Sequence, residues 1–187
     1  RVLIRPAARL RAAAAAALAL VAAAALAQPA PPPAPDRWVL DEAGYLSPGS
    51  RATLDAELEA FEGRQGSQVL VAIFRELPPG TVLEEWTQRV AESWRVGRAR
   101  QDDGAVLFLF VADRQVRLEV GYGLEGALTD LESSRILREQ LIPQLRTGDR
   151  DAALLAAGRA IVAAIEGEYE AGPGAEGRPS GEMPLWG

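Results

Sequence analysis

Between Asp102 and Asp130 the sequence DDGAVLFLFVADRQVRLEVGYGLEGALTD places acidic loops at both ends of two apolar runs. If residues 105–111 form one strand and 115–120 return antiparallel to it, the start of the first and the end of the second share one edge of the sheet. That edge brings together Asp102, Asp103, Glu125 and Asp130, with carbonyl groups offered by the turn Gly121-Tyr122-Gly123. Asp113 falls at the opposite edge, about 20 Å away at the usual strand rise. Several carboxylates crowded together without an arginine among them repel, and a hard divalent cation relieves that repulsion. These four acids are therefore the candidate metal ligands, with a hard divalent cation such as Ca2+ or Mg2+ as the candidate ion. Taken singly, each has a plainer role: Asp102-Asp103-Gly104 as a turn, the glycines as positive-φ positions, Asp130 as a favourable charge in the first turn of a helix.

The rest of the composition narrows the chemistry. The 187 residues contain no Cys and no His, and all 20 basic residues are Arg. Ser-His-Asp and Cys-His nucleophilic sites, zinc sites built on His or Cys, the phosphate-loop lysine and Schiff-base lysines are all absent, which leaves carboxylate, hydroxyl and backbone chemistry. No residue is singled out as catalytic, and no organic cofactor motif is present. The net charge of -6 argues against nucleic acid and for cations or basic partners.

The elements that must position these acids occupy the middle of the chain. Arg1, Arg5, Arg9 and Arg11 precede an Ala/Leu/Val run ending in Ala25-Leu26-Ala27, so residues 1–27 read as a secretory signal. Cleavage there removes four arginines and no acid, taking the charge from -6 to -10. The protein is then expected to be periplasmic or secreted, or membrane-associated where that segment stays uncleaved. Residues 28–35, QPAPPPAP, read as a proline-rich linker, 36–166 as the folded domain, and 167–187 as a disordered Gly/Pro-rich tail.

Within the domain, Trp38-Val39-Leu40 suits a short strand. Ser47 caps a helix with Pro48 at its first position, and Leu54, Leu58 and Phe61 give that helix one apolar stripe before Gly63 or Gly66 stops it. Residues 69–74 are apolar at nearly every position, as in a strand covered on both faces. Thr81 and Glu84 have the spacing of a capping box for a helix whose stripe is Leu83, Trp86, Val90 and Trp94, core residues rather than ligand-binding ones, with Gly97 as its stop. Followed by the strand over 105–111, this makes a βαβ unit, expected to be right-handed with parallel strands. Thr129 and Glu132 form a second capping box, opening a helix that Pro143 interrupts after Ile142; Asp149 or Asp151 opens the last helix, ending near Gly167. The expected fold is α/β, a three-layer α/β/α sandwich whose small mixed sheet is mostly parallel with one antiparallel hairpin. Asp41 and Glu42, in a loop of unassigned position, are further acids that would extend an ion site.

An ordered set of motifs runs through this domain: VLDEAGYLS over 39–47, the W-x-x-G of Trp94 to Gly97, DDGAVLFLF, VADR, VGYGLEGALTD, and Ile142-Pro143 with Gly148-Asp149. In these the chain resembles the TPM domain family, found in bacterial envelope proteins, in a thylakoid lumen protein linked to photosystem II repair, and in a nematode acetylcholine-receptor auxiliary subunit. Relatives commonly show NNG or NDG where this chain has Asp102-Asp103-Gly104. The resemblance implies an α/β sandwich that binds calcium in its acidic loops, and an auxiliary role beside an envelope or membrane protein partner. One plant branch is described as an acid phosphatase, so the alternative is a divalent-metal-assisted phosphatase, with Asp102 or Asp103 as base or nucleophile and Arg100 near the phosphate. A methanol dehydrogenase-associated label that bacterial relatives carry finds no support in these residues.

Overall fold

The computed structural model describes residues 29–167; the expected signal segment, and the expected tail beyond Gly167, lie outside the described residues. In chain order the elements are β1 (Val39–Asp41), α1 (Pro48–Gln65), β2 (Gln68–Phe74), α2 (Leu83–Trp94), β3 (Gly104–Phe110), β4 (Gln115–Val120), a 3-10 turn (Tyr122–Leu124), α3 (Asp130–Ile136), a π-helical segment (Leu137–Leu141), α4 (Ile142–Arg146) and α5 (Arg150–Glu166). The strands form one sheet in the order β1-β2-β3-β4. β1, β2 and β3 are parallel, and β4 returns antiparallel to β3.

Every residue of β3 is buried, and so is all of β2 after Gln68. Side chains alternate across a strand, so a strand that exposes none needs a layer on each face. Val69, Val71, Ile73, Ala105, Leu107 and Leu109 pack with Leu54, Leu58 and Phe61 of α1 and with Leu154 and Ile161 of α5. Leu70, Ala72, Phe74, Val106, Phe108 and Phe110 pack with Leu83, Trp86, Val90 and Trp94 of α2. The two stripes read from the sequence thus cover opposite faces, and Trp86 and Trp94 are core residues as expected. This placement carries a topological consequence. Two successive parallel steps in the same direction, β1 to β2 and β2 to β3, put their helices on the same face when both crossovers have the usual right hand. Here α1 and α2 lie on opposite faces, so one of the two crossovers is left-handed.

Local signals explain most element ends. Ser47 caps α1 by accepting the Ser50 amide at 3.2 Å, and Gly66 ends it at φ 79°. The buried carboxylate of Asp55 accepts the Val39 amide at 3.0 Å and the Arg37 Nε at 2.6 Å, which ties β1 to α1. Asp149 caps α5 through the Ala152 amide. The capping box at Thr81 does not form: α2 starts after Val82, and the Thr81 hydroxyl donates to the Pro78 carbonyl at 2.6 Å, committed to the preceding turn. At α3 only half of the box forms. Thr129 accepts the Glu132 amide, but the Glu132 carboxylate pairs with Arg135 at 2.9 Å instead of bending back.

Pro143 does not interrupt the helix. The Ile142 amide bonds to the Leu137 carbonyl, five residues back, so the chain widens into a π turn and continues as α4. A widened turn carries the carbonyl that the proline ring would strike out of its way, and the missing proline N–H falls at a position where none is needed. The described part of the proline-rich stretch has no regular secondary structure, as its composition predicts, yet it is tethered: the Trp94 indole N–H donates to the Pro32 carbonyl at 2.8 Å.

Phe108 is the centre of the second core, with ring centroids of Phe74, Trp86, Trp94 and Phe110 at 5.9–6.5 Å. Phe108→Ala is expected to cost about 3–5 kcal/mol in a urea titration, and Leu131→Ala, at an exposed position, within about 0.5 kcal/mol.

Candidate functional site: a cleft at the amino-terminal edge of the sheet

α2 ends at Trp94, where Arg95 takes the left-handed conformation at φ 54° and its amide bonds to the Ala91 and Glu92 carbonyls. Gly97, at φ 85°, then brings the chain against the start of β3. A side-chain carbon on Gly97 would lie 2.4 Å from the Gly104 amide nitrogen, and one on Gly104 would lie 2.2 Å from the Val96 carbonyl oxygen. Two glycines facing each other allow this backbone contact, and no larger residue fits at either. The Gly97 amide is held by the Gln68 side chain at 3.0 Å.

Between the glycines, the amides of Gln101 and Asp102 both bond to the Arg98 carbonyl at 2.9 Å. Asp103 is buried at 4% exposure, and its carboxylate accepts the Arg98 amide at 2.7 Å and Nε at 2.8 Å, with a further ion pair to Arg98 Nη2. Burial is the largest influence on this carboxyl and would raise its pKa. Hydrogen bonds from the Arg98 side chain and backbone, with the guanidinium charge, outweigh burial and hold the carboxyl below the ordinary aspartate range.

The glycine-rich loop closes over this turn. Gly121 donates to the Gly104 carbonyl at 2.8 Å, Gly123 to the Asp102 carbonyl at 2.9 Å, and the Tyr122 amide to Asp102 Oδ2 at 3.0 Å. A side-chain carbon on Gly123 would sit 2.0 Å from the Gln101 carbonyl oxygen. The two loops and the end of α2 enclose an open cleft of about 550 Å³, whose charged and aromatic lining includes Glu92, Arg95, Asp102, Glu119, Tyr122 and Glu125. Tyr122 stands at its mouth, 77% exposed.

The expected convergence at this edge is therefore only partly a convergence of side chains. Asp102 and Glu125 line the same cleft. Asp103 is adjacent in the chain, but its carboxylate is engaged by Arg98. Asp130 is exposed in the first turn of α3 and is not among the cleft residues. Among the described residues no three acids lie close enough to hold a metal ion, so the four carboxylates do not fit a closed calcium cage as arranged. The premise of acids without arginine fails because Arg98 folds back onto Asp103 and Arg95 lines the cleft. Arg100 does not line it. Asp113 lies at the opposite edge as expected, accepting the Leu77 amide at 2.6 Å. Asp41 ends β1 at that same opposite edge, accepting the amides of Tyr45 and Leu46 at 2.9 Å, and so adds nothing to the cleft. The sequence reading missed Arg98, Arg95, Glu92 and Glu119; the signal available was the spacing of Gly97 and Gly104, which brackets a tight loop and places Arg98 beside Asp103.

Two consequences are measurable. Asp103 has a folded-state pKa below its ordinary value of 3.8, so its contribution to stability is fully present above that value and disappears as the pH falls through the lower one. At neutral pH Asp103→Asn is expected to melt below wild type, and the gap between the two melting temperatures should narrow as the pH drops below about 4. A gap independent of pH would exclude the charged pair as its origin. Gly123→Ala should destabilise by about 1–3 kcal/mol through the clash with the Gln101 carbonyl, measured by chemical denaturation.

Comparison with known proteins agrees with this fold. The model of the TPM domain matches residues 39–164. The solution structure of the N-terminal domain of a P. gingivalis protein is 33% identical, covers 72% of this chain and 85% of its own, and superposes with a TM-score of 0.63. Two more distant solution structures share the fold. The N-terminal domain of the cg2496 protein from Corynebacterium glutamicum is 16% identical over 70% of this chain and 80% of its own, with a TM-score of 0.54. The BA42 protein from Bizionia argentinensis is 11% identical over 71% of this chain and 90% of its own, with a TM-score of 0.58. No curated protein matches the chain. With a family model spanning 39–164 and a relative one-third identical across most of the domain, this chain belongs to the TPM domain family.

Proposed function

We propose that the domain is an exported, noncatalytic interaction module whose acidic cleft receives a cationic group of an envelope or membrane protein partner. The engagement of Asp103 carries this reading. It is the buried carboxylate at this edge, the kind of group that catalysis tunes, and it is spent on holding Arg98 and the loop. Of the other acids of the cleft, Glu119 is engaged by Arg117 and Thr87, and Glu92, Asp102 and Glu125 are exposed and better suited to attracting charge than to moving protons. The position of the cleft adds support. It lies at the amino end of β3, beside the end of the antiparallel β4, whereas open α/β sheets hold their ligands at the carboxyl ends of their parallel strands.

Calcium enters this reading as a weak and largely hydrated guest of Asp102 and Glu125, in the range of about 10⁻⁴ to 10⁻³ M found for extracellular modules. The full chain is to be titrated calorimetrically with calcium and with a tetralysine peptide, and assayed in parallel for turnover of an aryl phosphate with added magnesium or calcium. Both ligands should bind, and both should weaken roughly tenfold in Asp102→Asn/Glu125→Gln, with no metal-dependent turnover. Turnover abolished by Asp102→Asn would establish a metal-assisted phosphatase instead.

A further inference from the structure

β4 is the last strand of the sheet, hydrogen-bonded to β3 on one side. Which of its backbone groups face the free side follows from the ladder. The Gly121 amide bonds to the Gly104 carbonyl, so the hydrogen-bonded pairs of this antiparallel ladder continue at Glu119 with Val106 and at Arg117 with Phe108. The N–H and C=O groups of Val116, Leu118 and Val120 therefore point away from the sheet, a template for another strand.

The side chains of this edge read V-R-L-E-V from Val116 to Val120. About Leu118 the pattern is symmetric in shape and opposite in charge. We propose that β4 pairs antiparallel with β4 of a second copy of this chain about a two-fold axis through Leu118, extending the sheet across the interface. Leu118 then faces Leu118 of the second copy and Val116 faces Val120, with the outward backbone groups of both strands bonded. Arg117 faces Glu119 of the second copy in a non-hydrogen-bonded pair, the arrangement in which opposed side chains come closest. Within each copy Arg117 Nε already binds Glu119 Oε1 at 2.6 Å, and Glu119 Oε1 also accepts the Thr87 hydroxyl at 2.5 Å. Both charges are thus held in place on the face that α2 covers. Arg117 keeps 30% of its side-chain surface and Glu119 keeps 16%. The axis would carry a quartet of alternating sign.

The same residues reject the neighbouring registers. A slip of two residues sets Arg117 against Arg117, or Glu119 against Glu119, and like charges directly opposed are destabilising. One short strand per copy gives a contact below the standard interface of roughly 1,600 Å², so the association belongs to the weak, concentration-dependent class.

Sedimentation of the full chain from micromolar to roughly millimolar concentration should show a monomer–dimer equilibrium that high salt weakens. Arg117→Glu and Glu119→Arg should each associate at least about tenfold more weakly, because each sets like charges across the axis. An equimolar mixture of the two variants should recover the association. Neither variant regains its internal Arg117–Glu119 pair on mixing, so recovery reads the contact between copies alone. Should either variant fail to fold, amide exchange on wild type decides: the Leu118 amide is expected to gain protection as concentration rises. A monomer at all concentrations, a mixture no tighter than its parts, or a Leu118 amide that exchanges fast at every concentration would overturn the proposal and leave this edge to some other strand.

Discussion

β2 and β3 lie side by side in register from Gln68 with Gly104 to Phe74 with Phe110, and between them almost no side chain reaches solvent. A ribbon of that kind cannot leave either face bare, because each exposed Phe or Leu forfeits about 1.5–3 kcal/mol of burial. The helices on opposite faces follow from this need, and so does the mixed hand of the two crossovers. It also explains why the chemistry has withdrawn to the ends of the strands. With both faces and most of the width of the sheet given to packing, polar groups that must meet water have only the two edges where loops emerge.

The two edges are used differently. At the carboxyl ends, Asp41 and Asp113 are consumed in turning the chain, each accepting backbone amides of a nearby loop. At the amino ends, Asp103 has the same kind of duty, but Asp102 and Glu125 line an open cleft bounded by the last turn of α2. The difference arises from the glycine pair at 97 and 104. Their contact pulls the segment after α2 against β3, and the displaced backbone of 98–102 becomes one wall of the cleft.

How much of this could be read from residues alone depended on the range of the interaction. The strands, the two helical stripes, the Ser47 cap and the hairpin are local patterns of period or turn chemistry, and the structure has them where the patterns lie. The edge on which each acid falls followed from counting strand directions. Side-chain direction did not, since Asp103 turns inward only because Arg98 is available five residues before it. The Thr81 box failed for a similar reason: Thr81 has two possible uses, and the proline turn before it offered the nearer acceptor. At Pro143 the expected break became a widened turn, a choice made by the packing of Leu141, Ile142 and Leu145 into the first core rather than by proline.

Asp102 and Asp103 form a doublet in the sequence, but their constraints have nothing in common. Asp102 sits at φ 48°, a conformation that Asp and Asn tolerate better than other residues with side chains. Its one hydrogen bond to a backbone amide, from Tyr122, could be taken equally by the carbonyl oxygen of an asparagine. Family members with Asn there would keep the backbone and the bond while losing the charge. The negative charge at 102 is therefore surplus to the architecture. It is free to vary from one family member to the next, so the electrostatic character of the cleft can drift while the fold beneath it stays the same.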